Sequence, residues 1–401
     1  MPDRAQPSVA VMEWICGGGM SNIAQADQVP SGLRSEGAAM LLTIAEGLAN
    51  AGVAVTVPLD VRLFQPRLID RLSKIAEVIP IRTSNTREVE SLWQALCTRS
   101  AWTWLVAPEI DDQLRCLAAD LRAVGGQLIN ASEEFLANAS DKLRTACRLY
   151  ESGIAHPPTR SLRELDEQWL KSIGSKLAAS TLHAPTATEN QISARGDSRL
   201  WCVKPADGAG GEGLRIVTTE ELLQLKHACE NSRGSGAINC AEDKWIVQPW
   251  LAGIATSCSA FVAPCGHTTW LPLVSQDFTA AAECSHRNGA LLSPHYVGST
   301  YPAPGISSTV PVALLDGTLK AMQGRAIGWI GIDLLFHPPT EQWWVIEVNP
   351  RCTSSMVGLA QAYQGNLVGD LCGWLTGRSP QPLADFQQST FRVARGDTHP
   401  T

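Results

Sequence analysis

Two apolar runs around a short polar turn constrain the fold more than any other feature: GWIGIDLLF at 328–336, HPPTEQ at 337–342 and WWVIEVNPRC at 343–352. Runs of this length flanking a turn read as an antiparallel β-hairpin. A hairpin centred near Thr340 sets Asp333 opposite Glu347, and Asn349 opposite Gly331, whose missing side chain leaves space for the amide. Side chains alternate along a strand, so Asp333, Glu347 and Asn349 project to one face. A slip of one residue would turn Asp333 to the other face. Buried carboxylates without partners are costly, so so apolar a setting argues against a merely solvated polar face. Two carboxylates and an amide oxygen make a hard, oxygen-only donor set suited to Mg²⁺ beside phosphates, with Mn²⁺ as a substitute.

A second stretch, LWCVKPADGAGGEGLRIV at 200–217, delivers Lys204 on a strand and then runs from Asp207 to Gly213 without a bulky apolar side chain. Glycines let backbone N–H groups approach an anion closely, and such nests suit phosphates. No GK[ST] follows, and the lysine precedes the glycines, so this is not a P-loop. An ordinary glycine-rich hairpin with a surface lysine remains the competing reading.

Upstream, strand-like and helix-like segments alternate. SVAVMEWIC, VAVTVPL, AWTWLVAP and QLIN read as strands; SEGAAMLLTIAEGLANAG, TREVESLWQALC and DDQLRCLAADLRAVGG read as helices. That alternation predicts a parallel sheet with helices on its faces. Gly17–Gly19, after the first strand, lies where such sheets bind ligands and serves either as a cradle or as a turn. SDKLRTACRLYESG reads as a helix capped by Ser140 or Asp141 and stopped at Gly153. Residues 183–199 and 231–243 lack apolar periodicity and read as exposed loops, and the tail from Gly377 reads as loose.

Of 401 residues, 44% are hydrophobic and 18% charged, an ordinary globular balance with room for two or three domains. The net charge of −7 argues against a nucleic-acid-binding role driven by bulk electrostatics. The 12 cysteines contain no CxxC pair, which excludes the usual zinc spacings and fits reduced thiols in a cytoplasm. The opening residues are too polar for a signal peptide and no apolar run reaches membrane-spanning length, so no membrane association is expected.

Lys142, Lys204, the glycine loop and the carboxylate hairpin, in that order, resemble the ATP-grasp superfamily of carboxylate–amine ligases. The resemblance implies an α/β and α+β chain: an N-terminal parallel-sheet (pre-ATP-grasp) domain at 1–130, then a two-lobed ATP-grasp fold. Its lobes would span 131–250 and 251–376, with a flexible tail at 377–401. It further implies that Lys142 and Lys204 contact the phosphates of ATP, and that Gly208, Gly210, Gly211 and Gly213 fold over them. IVQPWLAG would supply Gln248 and the backbone of Trp250 and Leu251 to the adenine. Asp333, Glu347 and Asn349 would hold two Mg²⁺ ions, Arg351 would steady an acyl phosphate, and Arg287 would be a further phosphate or substrate arginine. Small-molecule carboxylate and amine substrates and a homodimer are also implied. Two departures stand out. Pro249 sits where the family carries an acidic residue, and another acid is replaced within residues 255–259. These favour, against catalysis, a nucleotide-binding regulatory protein; the retained Arg351 favours a ligase, and another ATP-grasp amino-acid or dipeptide ligase fits the same residues. EVNPRCTSSMVGL, with EWICGGG and LRSEGAAML, is similar to the tyramine–glutamate ligase group, which acts in the biosynthesis of methanofuran-type one-carbon carriers. No base for the amine identifies itself: His286 and His295 are candidates by position alone, and Cys202 and Cys352 read as packing residues.

Overall fold

The structure, a computed structural model, describes residues 6–22, 28–64, 66–179, 200–208, 213–231, 244–278, 296–306 and 308–392. The N-terminal sheet has four parallel strands in the order Glu77–Ile81, Ala54–Asp60, Ser8–Glu13, Trp102–Val106. Helices Ser31–Asn50, Pro66–Ser73, Thr86–Arg99 and Gln113–Ala123 connect and cover it. The first strand is central. The chain winds outward from it, then crosses back to lay Trp102–Val106 on its other side, so the sheet has a topological switch point between these two strands. QLIN contributes only a lone bridge from Leu128 to Thr103. The helix Pro66–Ser73 and the edge strand Glu77–Ile81 carry too little apolar signal to stand out in the sequence.

The first lobe is an antiparallel sheet in the order Arg160–Ser161, Trp245–Pro249, Leu200–Pro205, Arg215–Thr218. It has its own core, in which Trp201, Val203, Val217 and Val247 pack with Leu162, Leu165 and Leu170. The second lobe is built on Ile254–Val262, Gly328–His337 and Gln342–Asn349. This lobe shares its core with the N-terminal sheet. Met12, Trp93 and Leu105 lie in one apolar cluster with Ile330, Ile332 and Phe336, and Trp104 packs tilted against Phe261 with ring centroids 5.7 Å apart. The sheet edge and the hairpin are therefore fixed to one another, while the first lobe is packed around a separate core.

The loose-tail expectation does not hold through residue 392. Ser389–Arg392 forms a third strand beside Tyr296–Tyr301, and Arg392 pairs with Asp277. Strand pairing across some ninety residues is invisible to local polarity. Among the described residues, no helix is long and apolar enough to cross a membrane.

Candidate active site

The hairpin register places Asp333 opposite Glu347 and Gly331 opposite Asn349. It reaches this by a device that its turn alone does not supply. Next to the turn His337 faces Gln342, and this pairing continues to Leu334 with Val345. Ile346 is then an extra residue, a β-bulge that advances the return strand by one position and brings Glu347 against Asp333. The turn itself is a short 3₁₀ segment, Pro338–Thr340, closed by Glu341 in the left-handed region.

Asn349 Nδ2 donates to Asp333 Oδ2 at 3.1 Å, which leaves the Asn349 carbonyl oxygen for another partner. Asp333 is also bonded by Ser257, its neighbour on the adjacent strand, and by Gln276. Burial, and then the Glu347 charge, push the Asp333 carboxyl up to about 6. Such a pair is short of positive charge. Glu347 obtains some from the first lobe: Lys142 Nζ lies 3.2 Å from Oε1 and Lys204 Nζ lies 3.9 Å from Oε2.

Each lysine is placed by local folding. Asp141, not Ser140, caps the helix Lys142–Glu151, accepting from the Leu143 and Arg144 amides at 2.8 and 3.0 Å. Lys142 thus enters at the first turn. Its amide donates to Ala206 O at 2.9 Å and its ammonium donates to Gly208 O, so it grips the root of the glycine loop. Lys204 arrives on the strand Leu200–Pro205, two residues beyond Cys202 and on the same face. At the loop's far root, Gly213 has φ +74°, and a Cβ there would stand 3.0 Å from the Pro205 ring, so only glycine fits. Gly210, Gly211, Arg287, His286 and His295 lie outside the described residues, as do residues 183–199 and most of 231–243.

Gln248 is buried and donates to Thr159 Oγ1 at 2.9 Å. The Trp250 amide donates to Leu200 O at 2.9 Å. In this structure that donor serves the sheet. Leu251 is buried beside it in the first-lobe core. Cys202 and Cys352 are buried, and burial raises both thiols, Cys352 to about 12, which agrees with packing roles.

Arg351 does not stand free. Its Nε donates to Glu109 Oε2 at 2.8 Å and its terminal nitrogen donates to Cys352 O at 3.0 Å. Burial works against its charge, but the carboxylates of Glu109, Glu36 and Glu347 together outweigh it and hold the guanidinium above its usual value. Glu109 follows the strand Trp102–Val106 and leads into Asp111 and Asp112, both at positive φ. The Asp111 amide donates to Asp207 at 3.2 Å, and Lys244 bridges Asp111 and Asp207 at 2.5 and 3.4 Å. One segment of the N-terminal domain therefore touches both the hairpin arginine and the root of the glycine loop. Neither Glu109 nor Ser257 stood out in the sequence. The only cue for Ser257 is its alternation with Ser259 in a buried strand. Gly17–Gly19 is no cradle: added Cβ atoms would lie 2.7 Å from the Trp93 ring at Gly17 and 2.2 Å from the Trp14 ring at Gly19.

Comparison with known protein families identifies the domains. The ATP-grasp domain profile matches residues 139–355, and a pre ATP-grasp 3 domain profile matches residues 53–134. The chain belongs to the ATP-grasp family. The carbamoyl phosphate synthase large chain of Thermomicrobium roseum is 25% identical over 293 residues, 70% of this chain, which spans only 23% of that relative's length. Among solved structures, an ATP-grasp superfamily protein from Archaeoglobus fulgidus is similar over 97% of this chain and 99% of its own, with TM-score 0.55 and 18% identity. The biotin carboxylase domain of Hydrogenobacter thermophilus 2-oxoglutarate carboxylase, solved with MgADP, ADP and bicarbonate, is similar over 94% of this ATP-grasp chain and 72% of its own, with TM-score 0.60 and 13% identity. At these identities the structural likeness concerns the fold alone.

Proposed function

We propose that this protein is an ADP-forming ligase that joins a carboxylate to an amine through an acyl phosphate. The observation that carries the reading is the convergence on Glu347: Asp333 opposes it across the hairpin, and two buried lysines reach it from the other lobe. A resting protein gains little from burying two acids against each other, whereas a nucleotide site needs both signs of charge in one cleft.

The donor set fits a hard divalent cation. It is all oxygen, the free Asn349 carbonyl completes it, and the raised Asp333 carboxyl marks a place short of positive charge. Asp333, Glu347 and Asn349 would hold Mg²⁺, two ions in the fullest reading, which when bound screens the phosphate charge. Lys142 and Lys204 exchange Glu347 for the β- and γ-phosphates when nucleotide enters. A glycine-rich segment after Lys204 suits a cover that would keep water from the acyl phosphate. Arg351 holds the transferring group, and the amine then attacks the acyl carbon as phosphate leaves. Catalysis of this kind is mainly positioning and electrostatics.

The narrower reading is that the carboxylate is the γ-carboxylate of glutamate and the amine is tyramine, as in methanofuran-type carrier biosynthesis. The segments EVNPRCTSSMVGL, EWICGGG and LRSEGAAML support it. The test is incubation with ATP, Mg²⁺ and a panel of amino acids and amines that includes this pair, following ADP and product mass. ADP release that needs both a carboxylate and an amine is expected. Tight ATP binding without any turnover would instead support a regulatory protein. In the turning-over pair, Lys204→Ala should raise the KM for ATP and lower kcat/KM by about 100-fold. An unchanged rate would mean that the strand lysine does not meet the phosphates.

A further inference from the structure

Two ammonium groups stand where the charge of a metal ion would act. We propose that Lys142 and Lys204 guard the metal site: they compete with a divalent cation for the Glu347 carboxylate, and the phosphates of an arriving nucleotide lift that competition. The affinity of Glu347 for metal is then set by whether the lysines have another anion to go to. This inference rests on the ligase reading and concerns the same cleft. It adds a device that weakens metal binding until nucleotide arrives.

Three observations carry it. The first is which atoms are taken. Lys142 Nζ lies 3.2 Å from Glu347 Oε1 and Lys204 Nζ lies 3.9 Å from Oε2, so each oxygen already faces one ammonium. Asp333, opposite Glu347 on the hairpin, is served instead by the neutral side chains of Asn349, Ser257 and Gln276. Both lysines therefore concentrate on the one acid. The second is the sum of charges. Two carboxylates with two ammonium groups make a neutral cluster, and a dication added to it meets repulsion as well as attraction. Arg351 does not alter this, because its Nε is bonded to Glu109 at 2.8 Å. The third is that neither lysine is free to swing aside. The Lys142 side chain is 8% exposed, its ammonium also donates to Gly208 O, and its amide donates to Ala206 O at 2.9 Å. The Lys204 side chain is 11% exposed on the strand Leu200–Pro205. A buried ammonium gives up its carboxylate for another anion, not for an unpaired place in the interior. Glu347 keeps 18% exposure, so the cluster is not sealed.

The exchange needs no covalent step. A triphosphate carries enough negative charge to take both ammonium groups. Glu347 is then left beside Asp333 and the Asn349 carbonyl as an uncompensated acid, which is what a hard cation favours. The coupling is reciprocal: whatever factor nucleotide adds to the metal affinity, metal adds to the nucleotide affinity. Each lysine thus acts in two opposite directions. Without nucleotide it weakens metal binding at Glu347. With nucleotide it strengthens metal binding, because it holds the phosphates that share the metal. A lysine that served only to bind phosphate, or only to hold the lobes together, would not show that change of sign.

The experiment measures binding, not turnover. Mn²⁺ is titrated into the full chain and the free ion is followed by electron paramagnetic resonance, with and without the non-hydrolysable nucleotide AMP-PNP. Without nucleotide, Lys142→Met should bind Mn²⁺ about 10-fold more tightly than wild type, and Lys204→Met, which removes the more distant ammonium, several-fold more tightly. With AMP-PNP the order should reverse, and both variants should bind Mn²⁺ more weakly than wild type. Adding Glu347→Gln to Lys142→Met should erase the gain, which locates it at that carboxylate. Lys142→Gln keeps a donor for Gly208 O and serves if Lys142→Met does not fold. Lysine variants that bind Mn²⁺ no more tightly than wild type without nucleotide, while AMP-PNP still enhances binding to wild type, overturn the inference and leave the ligase reading standing. A gain that persists unchanged with AMP-PNP also overturns it, because the lysines then do not pass to the phosphates. A wild-type protein that binds neither AMP-PNP nor Mn²⁺ overturns both.

Discussion

Asp333→Asn is expected to abolish carboxylate-dependent ADP formation, by at least about 10³-fold, while making the ligand-free protein more stable. The two effects share one cause. Asp333 is half-buried and faces Glu347, so its ionised form is disfavoured in the folded chain and its carboxyl is raised from 3.8 to about 6. Through a window from about pH 4 to pH 6 the folded protein retains a proton that the unfolded chain has released. Stability therefore falls as pH rises through that window and stays reduced above it. Asparagine carries no charge and escapes the fall. Its advantage should open between about pH 4 and pH 6 and level off at about 3 kcal/mol in order of magnitude. Thermal melts of both proteins across this range measure it directly. Adding millimolar Mg²⁺ should raise the wild-type melting temperature and leave that of Asp333→Asn unmoved. A variant less stable than wild type at neutral pH would mean that Asp333 is a structural hydrogen-bond acceptor for Ser257, Gln276 and Asn349, not a strained functional acid.

That acid was legible in the sequence because a hairpin is a local object: its strands, its turn and the alternation of its faces all lie within about twenty residues. Even so, the agreement of Asp333 with Glu347 was reached by symmetry about Thr340, whereas the chain achieves it through the bulge at Ile346. Nothing in the composition of WWVIEVN marks which residue will bulge. The strand Leu200–Pro205 and the helix Lys142–Glu151 were legible for the same local reason: an apolar run ending in a lysine, and an Asp141 cap. What escaped were the pairings between distant segments. Glu109 and Arg351 are 242 positions apart, and Ser389–Arg392 finds its partner strand across the second lobe. The sequence neighbours of Glu109, Ala107, Pro108 and Ile110, give no hint that its carboxylate meets an arginine; only the shared core of sheet and second lobe brings them together.

Because that core fixes Glu109 against Arg351, Arg351→Met should cost stability as well as activity. The pair is nearly sealed, with side chains 12% and 5% exposed. Removing the guanidinium leaves the Glu109 carboxylate in a site with little water and with both oxygens lacking a cationic partner. Breaking a buried pair on one side costs about 3–5 kcal/mol, most of it the penalty of the stranded charge. Combining Arg351→Met with Glu109→Gln removes that charge. The double variant should therefore melt higher than Arg351→Met alone and recover about half of the loss, a coupling that a double-mutant cycle reads out. Activity should follow a different course. If Arg351 holds the transferring phosphoryl group, ADP formation stays lost in both backgrounds, because neither restores a cation there. Recovery of stability without recovery of turnover would separate the two roles of Arg351: it anchors the N-terminal sheet edge to the hairpin, and it acts on the substrate. A double variant no more stable than the single one would show that the buried pair is not what joins these two elements.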